Sequence, residues 1–407
     1  MELDLSGGRL RPYVQDMTTI APAPRLLSRP LALVMLADFA GLFGFYLLLS
    51  VVPAHLTAAG AGGFAAGLAT GVLMLSSVAG EFAIPRLVSR YGFRTVLAAG
   101  LALLALPVLA LLVSAALPVV VAVCVLRGLG LAVIFVVCGA WGAELIPAER
   151  RGEGLGVLGI VAGLPAVVAT PLGVWLMGHA GAEAVFALGA LAALAGLVAV
   201  LGMPAGRTTE EAPTGMAAAL RSPALMRPAI VFTGTAMAAG IVVTFVPAAV
   251  PGGAGSLAAV ALLAQAGATT VARWWAGRYG DRHGAARLLI PGALLAAAGI
   301  LALVLAGNPL AVLAGMVAFG AGFGTVQNAS LAMMYSRVST AAYGTATAVW
   351  SIAYDTGYGL GALGFGALAS TAGYPIGFAL TAAVMVAFAV AGTQPGRANG
   401  GTSNSKN

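Results

Sequence analysis

Residues 118–141 read PVVVAVCVLRGLGLAVIFVVCGAW, a run that is apolar or glycine throughout except for Arg127. A helix needs about 20 such residues to cross the hydrocarbon core of a bilayer. Runs of the same kind recur on either side, near 31–53, 64–85, 95–116, 154–178, 182–203, 227–250, 254–277, 287–307, 309–334, 343–368 and 373–392, twelve with the first. The composition agrees with that count. The chain has 407 residues, 60% of them hydrophobic before its 57 glycines are added, and only 8% charged, where a soluble domain carries roughly 25%. So few charges cannot cover the surface of a water-soluble core. The expected fold class is an all-α polytopic membrane protein with twelve transmembrane helices.

Other classes fall away on the same residues. Cys124 and Cys138 share one apolar run, and His55, His179 and His283 are scattered, so no disulfide framework, metal site or bound cofactor is expected. The net charge of +7 sits in short segments between apolar runs, which is a topology signal rather than a nucleic-acid face. Residues 1–30 contain Arg9, Arg11, Arg25 and Arg29 with no apolar core, so no signal peptide is expected. Arg86, Arg90, Arg94, Arg150, Arg151, Arg207, Arg221, Arg227, Arg273, Arg278, Arg282, Arg287, Arg337, Arg397 and Lys406 all read as lying in the tails or on alternate loops. By the positive-inside rule both termini are then cytoplasmic. The preference for Arg over Lys and the Ala richness suggest a bacterial cytoplasmic membrane. The chain divides into a cytoplasmic tail (1–30), a six-helix bundle (31–203), a polar linker (204–226), a second six-helix bundle (227–392) and a polar tail (393–407).

The two bundles repeat. An offset of 192 residues lays Arg90-Tyr91-Gly92 on Arg282-His283-Gly284, and Arg151-Gly152 on Tyr343-Gly344. Two six-span halves that both begin inside form a parallel repeat about an axis along the membrane normal, the scheme of alternating access around a midplane site. Transport of a small molecule is therefore expected, by a monomer.

The stretch Gly277-Arg278-Tyr279-Gly280-Asp281-Arg282-His283-Gly284 matches the Gly-x-x-x-Asp-Arg-x-Gly signature of the major facilitator superfamily, which the whole chain from about 31 to 392 resembles. The first-half copy has Pro85 and Ser89 in place of the glycine and the acid, and keeps Arg90, Gly92 and Arg94. Arg127-Gly128-Leu129-Gly130 is similar to the family's intramembrane arginine motif, and Trp350 to Gly361 looks like the arabinose-efflux type of drug and metabolite permease. The resemblance implies two pseudo-symmetric six-helix bundles, a proton gradient in place of a cofactor, and a cytoplasmic gate at Gly277, Asp281, Arg282 and Gly284 with Arg90, Gly92 and Arg94. The alternative for Asp281 and Arg282 is a solvated turn. The family's antiporter Gly-Pro pair is matched only in part, by a span five rich in glycine with Pro165 and Pro171. Gly152/Gly156 and Gly159/Gly163, each pair four apart, equally suit close helix packing.

An ionisable group near the bilayer centre costs at least about 2.5–3.5 kcal/mol and usually faces a cavity or a partner. Asp38, in a span with Phe39, Phe43, Phe45 and Tyr46, is the first candidate for proton coupling; the alternative is a tie to the cytoplasmic arginines. Asp355 lies roughly 18 Å into span eleven at 1.5 Å per residue, and either acts in coupling or steadies a helix interface through backbone or arginine. Glu81 sits at the inner end of span two, and Arg127 is expected to have a carboxylate partner. Under the repeat, Glu81 maps onto Arg273. Phe39, Phe43, Tyr46, Trp141, Gln327, Asn328, Trp350 and Tyr354 are candidates for lining the substrate cavity, although amides in membrane helices often bond between helices instead. Such a cavity suits apolar or weakly cationic compounds. The expectation is proton-coupled efflux of small amphipathic drugs or metabolites. The rivals are a proton-coupled importer and a membrane-embedded transferase, whose paired Mg²⁺-binding acids have no counterpart here.

Overall fold

The computed structural model describes residues 27–147, 150–203, 216–250, 256–339 and 342–393, and every regular element among them is helical. The outer parts of both expected tails and most of the linker lie outside these residues. The helices are α1 (Arg29–Leu49), α2 (Val51–Ala58), α3 (Gly62–Glu81), α4 (Ile84–Ala105), α5 (Leu117–Leu145), α6 (Arg151–Leu201), the single turn α7 (Met216–Ala219), α8 (Pro223–Ala249), α9 (Ser256–His283), α10 (Ala286–Ala302), α11 (Pro309–Tyr335), α12 (Tyr343–Ala372) and α13 (Tyr374–Thr393). Their starts follow from sequence. The Ser28 hydroxyl accepts from the Leu31 N–H ahead of α1, and Asn308 Oδ1 accepts from the Leu310 N–H ahead of α11, with Pro30 and Pro309 in the first turn, where a missing N–H costs nothing.

Ten described segments are long and apolar enough to cross a membrane. One of them, Val157–Leu201, has 45 residues and turns back at Gly181, so it crosses twice. The 30-residue α12 is long enough but carries Thr, Tyr and many glycines. It is held between α3 and α8, where a polar composition is tolerated. Both additions bring the crossings to twelve, and the fold is the expected all-α polytopic one.

Two expected loops are not loops. Residues 84–91 continue as helix up to Gly92, and α9 runs on through Asp281 and Arg282 to His283. The halves differ here for a steric reason. Pro85 lacks an N–H for the carbonyl four residues back and its ring crowds that carbonyl, so α3 stops at Glu81. In the second half Gly277 stands at the matching place and α9 passes through unbroken.

The turns carry the repeat. Gly92 (φ 79°, ψ 160°), Gly181 (φ 83°, ψ 163°) and Gly373 (φ 81°, ψ 166°) share one backbone conformation, in a region open almost only to glycine. Gly284 also has positive φ. Gly92 pairs with Gly284 and Gly181 with Gly373 at the offset seen in sequence. The same offset relates the first residues of α5 and α11, and of α6 and α12.

Within the first half α1 packs along α6 and α5, and α3 and α4 pack along α5; in the second half α11 packs along α9 and α10, and α8 along α12 and α13. The halves meet where α3 lies against α12 and where α6 lies against α9. Because α3 matches α9, and the first part of α6 matches α12, these are two images of one contact.

Candidate functional site

Gly63, Gly67 and Gly71 are four residues apart and form a stripe down α3. Gly359, Ala362 and Gly366 face them from α12. A Cβ on Gly67 would overlap the Ala362 carbonyl oxygen, and one on Gly71 would sit 3.1 Å from the Gly359 oxygen. Small residues let two backbones approach this closely. Beside the stripe the Thr244 hydroxyl of α8 donates to the Thr70 hydroxyl of α3 at 3.0 Å, buried, and Phe245 packs on Phe365 with ring centroids 4.8 Å apart. The glycine stripe and the threonine pair close the seam between the halves over the part remote from the chain termini.

Toward the termini the seam holds the ionisable groups. Asp355 of α12 is 4% exposed and faces Ser77 of α3, whose hydroxyl is short of hydrogen-bonding geometry, with Glu81 one turn further on. Tyr46 of α1 and Tyr354 of α12 each lie within electrostatic reach of Asp355 and of Arg273 of α9. No arginine pairs with Asp355 or Asp38 among the described residues. Asp38 is 5% exposed and its carboxyl meets the Cys138 thiol of α5, inside the first half. The alternative ties of both acids to arginines are therefore absent among the described residues.

Arg273 reads in the sequence as a loop residue. It lies instead within α9, about 15 Å of helix from His283, and it is solvent-exposed. A charged side chain within a membrane helix faces a water-filled cavity or a partner, and the neighbours of Arg273, Tyr46 and Tyr354, come one from each half, which points to an aqueous cleft between the halves. Since the seam is closed away from the termini, the cleft opens toward them.

Arg127 is 1% exposed and lacks the carboxylate expected for it. Its Nη2 donates to the Phe45 carbonyl oxygen at 3.2 Å, and its guanidinium carbon lies 5.7 Å from the Phe45 ring centroid. Nε and Nη1 have no hydrogen-bond partner among the described residues. A carbonyl and an aromatic face replace the ion pair, and cation–π attraction strengthens when desolvated.

Phe39, Phe43 and Tyr46 are half-buried on one face of α1, Phe39 and Phe43 with centroids 5.9 Å apart. Trp350 and Tyr354 of α12 are also half-buried. Trp350 stacks on Phe232 at 4.5 Å and its indole N–H donates to the Ser330 hydroxyl at 3.1 Å. Trp141 does not join them. It is 3% exposed and stacked on Phe93 at 5.3 Å, a core residue of the first half. Gln327 is half-buried, its Oε1 unpartnered among the described residues, whereas Asn328 faces α9, its Nδ2 3.5 Å from where a Cβ on Gly277 would stand. Asp281 and Arg282 are exposed and make no ion pair among the described residues. Arg90 leans on the Tyr91 ring at 5.3 Å, and Arg94 donates to the Leu201 carbonyl oxygen at 3.1 Å, satisfying the C-terminus of α6. Gly159 and Gly163 have nothing within 4 Å, so the close-packing reading fails for that pair; the side chains at 152 and 156 lie outside what is described.

The family model of the Major Facilitator Superfamily matches residues 34–274, more than half of the chain. Among solved structures, the nucleoside transporter NupG, in the form of a point mutant, is similar at 13% identity and a TM-score of 0.70, covering 89% of this chain and 98% of that one. The E. coli xylose transporter XylE, in a partially occluded inward open conformation, is similar at 14% identity and a TM-score of 0.70, with 89% and 97% covered. No protein with a curated description matches. The twelve crossings, the repeated glycine turns and the family match agree: the chain belongs to the major facilitator superfamily and is a multi-pass membrane transporter of small molecules rather than an enzyme.

Proposed function

We propose that this transporter exports small amphipathic drugs or metabolites in exchange for protons, by alternating access between its two halves. The observation that carries the reading is the set of carboxyls Asp38, Glu81 and Asp355, which have no paired cation among the described residues and lie on or beside the helices that form the seam. A carboxyl buried without a counter-charge in a membrane is a natural proton carrier, and Asp355 is placed where closing or opening the seam changes its surroundings. With the termini taken as cytoplasmic, the cleft faces inward in this state and loads its cargo from the cell. The two bundles then rock about α3·α12 and α6·α9, with Asp281 and Arg282 forming the cytoplasmic gate in the opposite state. The protein works as a monomer in the bacterial cytoplasmic membrane.

The test is accumulation of amphipathic compounds in everted membrane vesicles energised with a proton gradient. Export predicts accumulation that collapses with a protonophore and is lost in Asp38→Asn or Asp355→Asn. Accumulation that survives the protonophore would remove the proton from the mechanism, and uptake only in right-side-out vesicles would make the protein an importer.

A further inference from the structure

We infer that Arg273 is the anchor for an anionic group of the substrate, and that the cleft takes compounds joining a carboxylate to an apolar or aromatic body. The inference rests on the transport reading for the existence of a cleft, and departs from the expectation of apolar or cationic cargo.

Arg273 is exposed within α9, ten residues before the helix ends, and makes no hydrogen bond or ion pair among the described residues. The side chains that act on it electrostatically are Tyr354 and Tyr46, one from each half, so it stands where a bound molecule would touch both. Glu81, its equivalent under the repeat, lies beside Asp355 and leaves the charge of Arg273 uncancelled. Two of its neighbours are the half-buried rings of Tyr46 on α1 and Tyr354 on α12, with Trp350 beside Tyr354 at 6.2 Å between ring centroids. A guanidinium offers a planar fork of donors that fits a carboxylate in two parallel hydrogen bonds, while the rings suit a flat apolar body. Dehydrating a cation is costly unless a partner replaces the water, which favours an anion over a neutral compound of the same shape.

The experiment measures binding to the purified full-length protein in nanodiscs, from quenching of tryptophan fluorescence and from thermal stabilisation. The probes are phenylacetate, 3-indoleacetate and benzoate, each with its primary amide. The expected result is saturable binding of at least one carboxylate, with its amide roughly 10- to 100-fold weaker in Kd, the range for losing a charge-assisted hydrogen bond. Arg273→Gln should bring the carboxylate down to the amide's affinity and leave the amide unchanged; Arg273→Lys should keep part of the preference, and would serve if the Gln variant does not fold. Equal binding of acid and amide, undiminished carboxylate binding in Arg273→Gln, or no binding by any of the acids would overturn the inference. Binding reads the cleft alone, so its failure would leave proton-coupled transport to be judged by flux.

Discussion

Gly67→Val tests whether the glycine seam opens during the cycle. At Gly67 a Cβ would collide with the Ala362 carbonyl oxygen and stand 3.2 Å from the Gly366 Cα, and all of these are backbone atoms that cannot swing aside. Relief requires α3 and α12 to part by roughly 1 Å, and overpacking of this order costs about 1–3 kcal/mol. If the seam closes in one state and opens in the other, the cost falls on the closed state only, and 1–3 kcal/mol shifts their ratio by roughly 5- to 150-fold. The assay is labelling by a membrane-impermeant maleimide at Thr244→Cys, a site buried under Thr70. The native Cys124 and Cys138 are buried and should stay silent. Labelling should accelerate several-fold or more when Gly67→Val is added. A folded double variant with unchanged labelling, or with only a lower Tm, would refute the idea that this contact parts, since a contact present in both states is destabilised without any shift between them.

Other expectations follow from the same geometry. Asp38→Asn should abolish proton-coupled transport while leaving size-exclusion behaviour and Tm close to wild type, because its carboxyl meets only a thiol; coupled transport at the wild-type rate would remove Asp38 from the mechanism. Gly181→Ala and Gly373→Ala should each cost about 1–3 kcal/mol, the strain of a side chain in that backbone region, whereas Gly159→Ala, helical and facing open space, should be neutral or slightly stabilising; thermal melts of the three compare them directly. Arg94→Ala removes an exposed hydrogen bond to the end of α6 and should lower Tm only slightly, by no more than about 1 kcal/mol of stability.

The span count and the repeat are legible in the sequence because each rests on many residues at once. Polarity alternates along the whole chain, and the offset that aligns Arg90-Tyr91-Gly92 with Arg282-His283-Gly284 also relates Gly181 to Gly373. What is not legible depends on facing. Trp141 and Trp350 look alike in a run of apolar residues, and only packing shows one buried against Phe93 and the other half-buried against Phe232. Arg273 escapes notice because a charge near the expected end of a span counts as a loop charge, and the helix in fact runs ten residues further. The break after Glu81 is marked by Pro85, which in the sequence reads only as a missing motif residue. A buried cation needs compensation, which points to an acid for Arg127; the Phe45 carbonyl and ring supply it instead, from a helix whose sequence carries no sign of the role.

The most direct measurement is proton movement in proteoliposomes with a trapped pH dye, started by adding a compound already shown to bind. Proton-coupled export predicts a substrate-dependent proton flux opposite to substrate, absent in Asp38→Asn. Flux in the same direction as substrate would make the protein a symporter, and substrate movement with no proton flux would contradict proton coupling altogether.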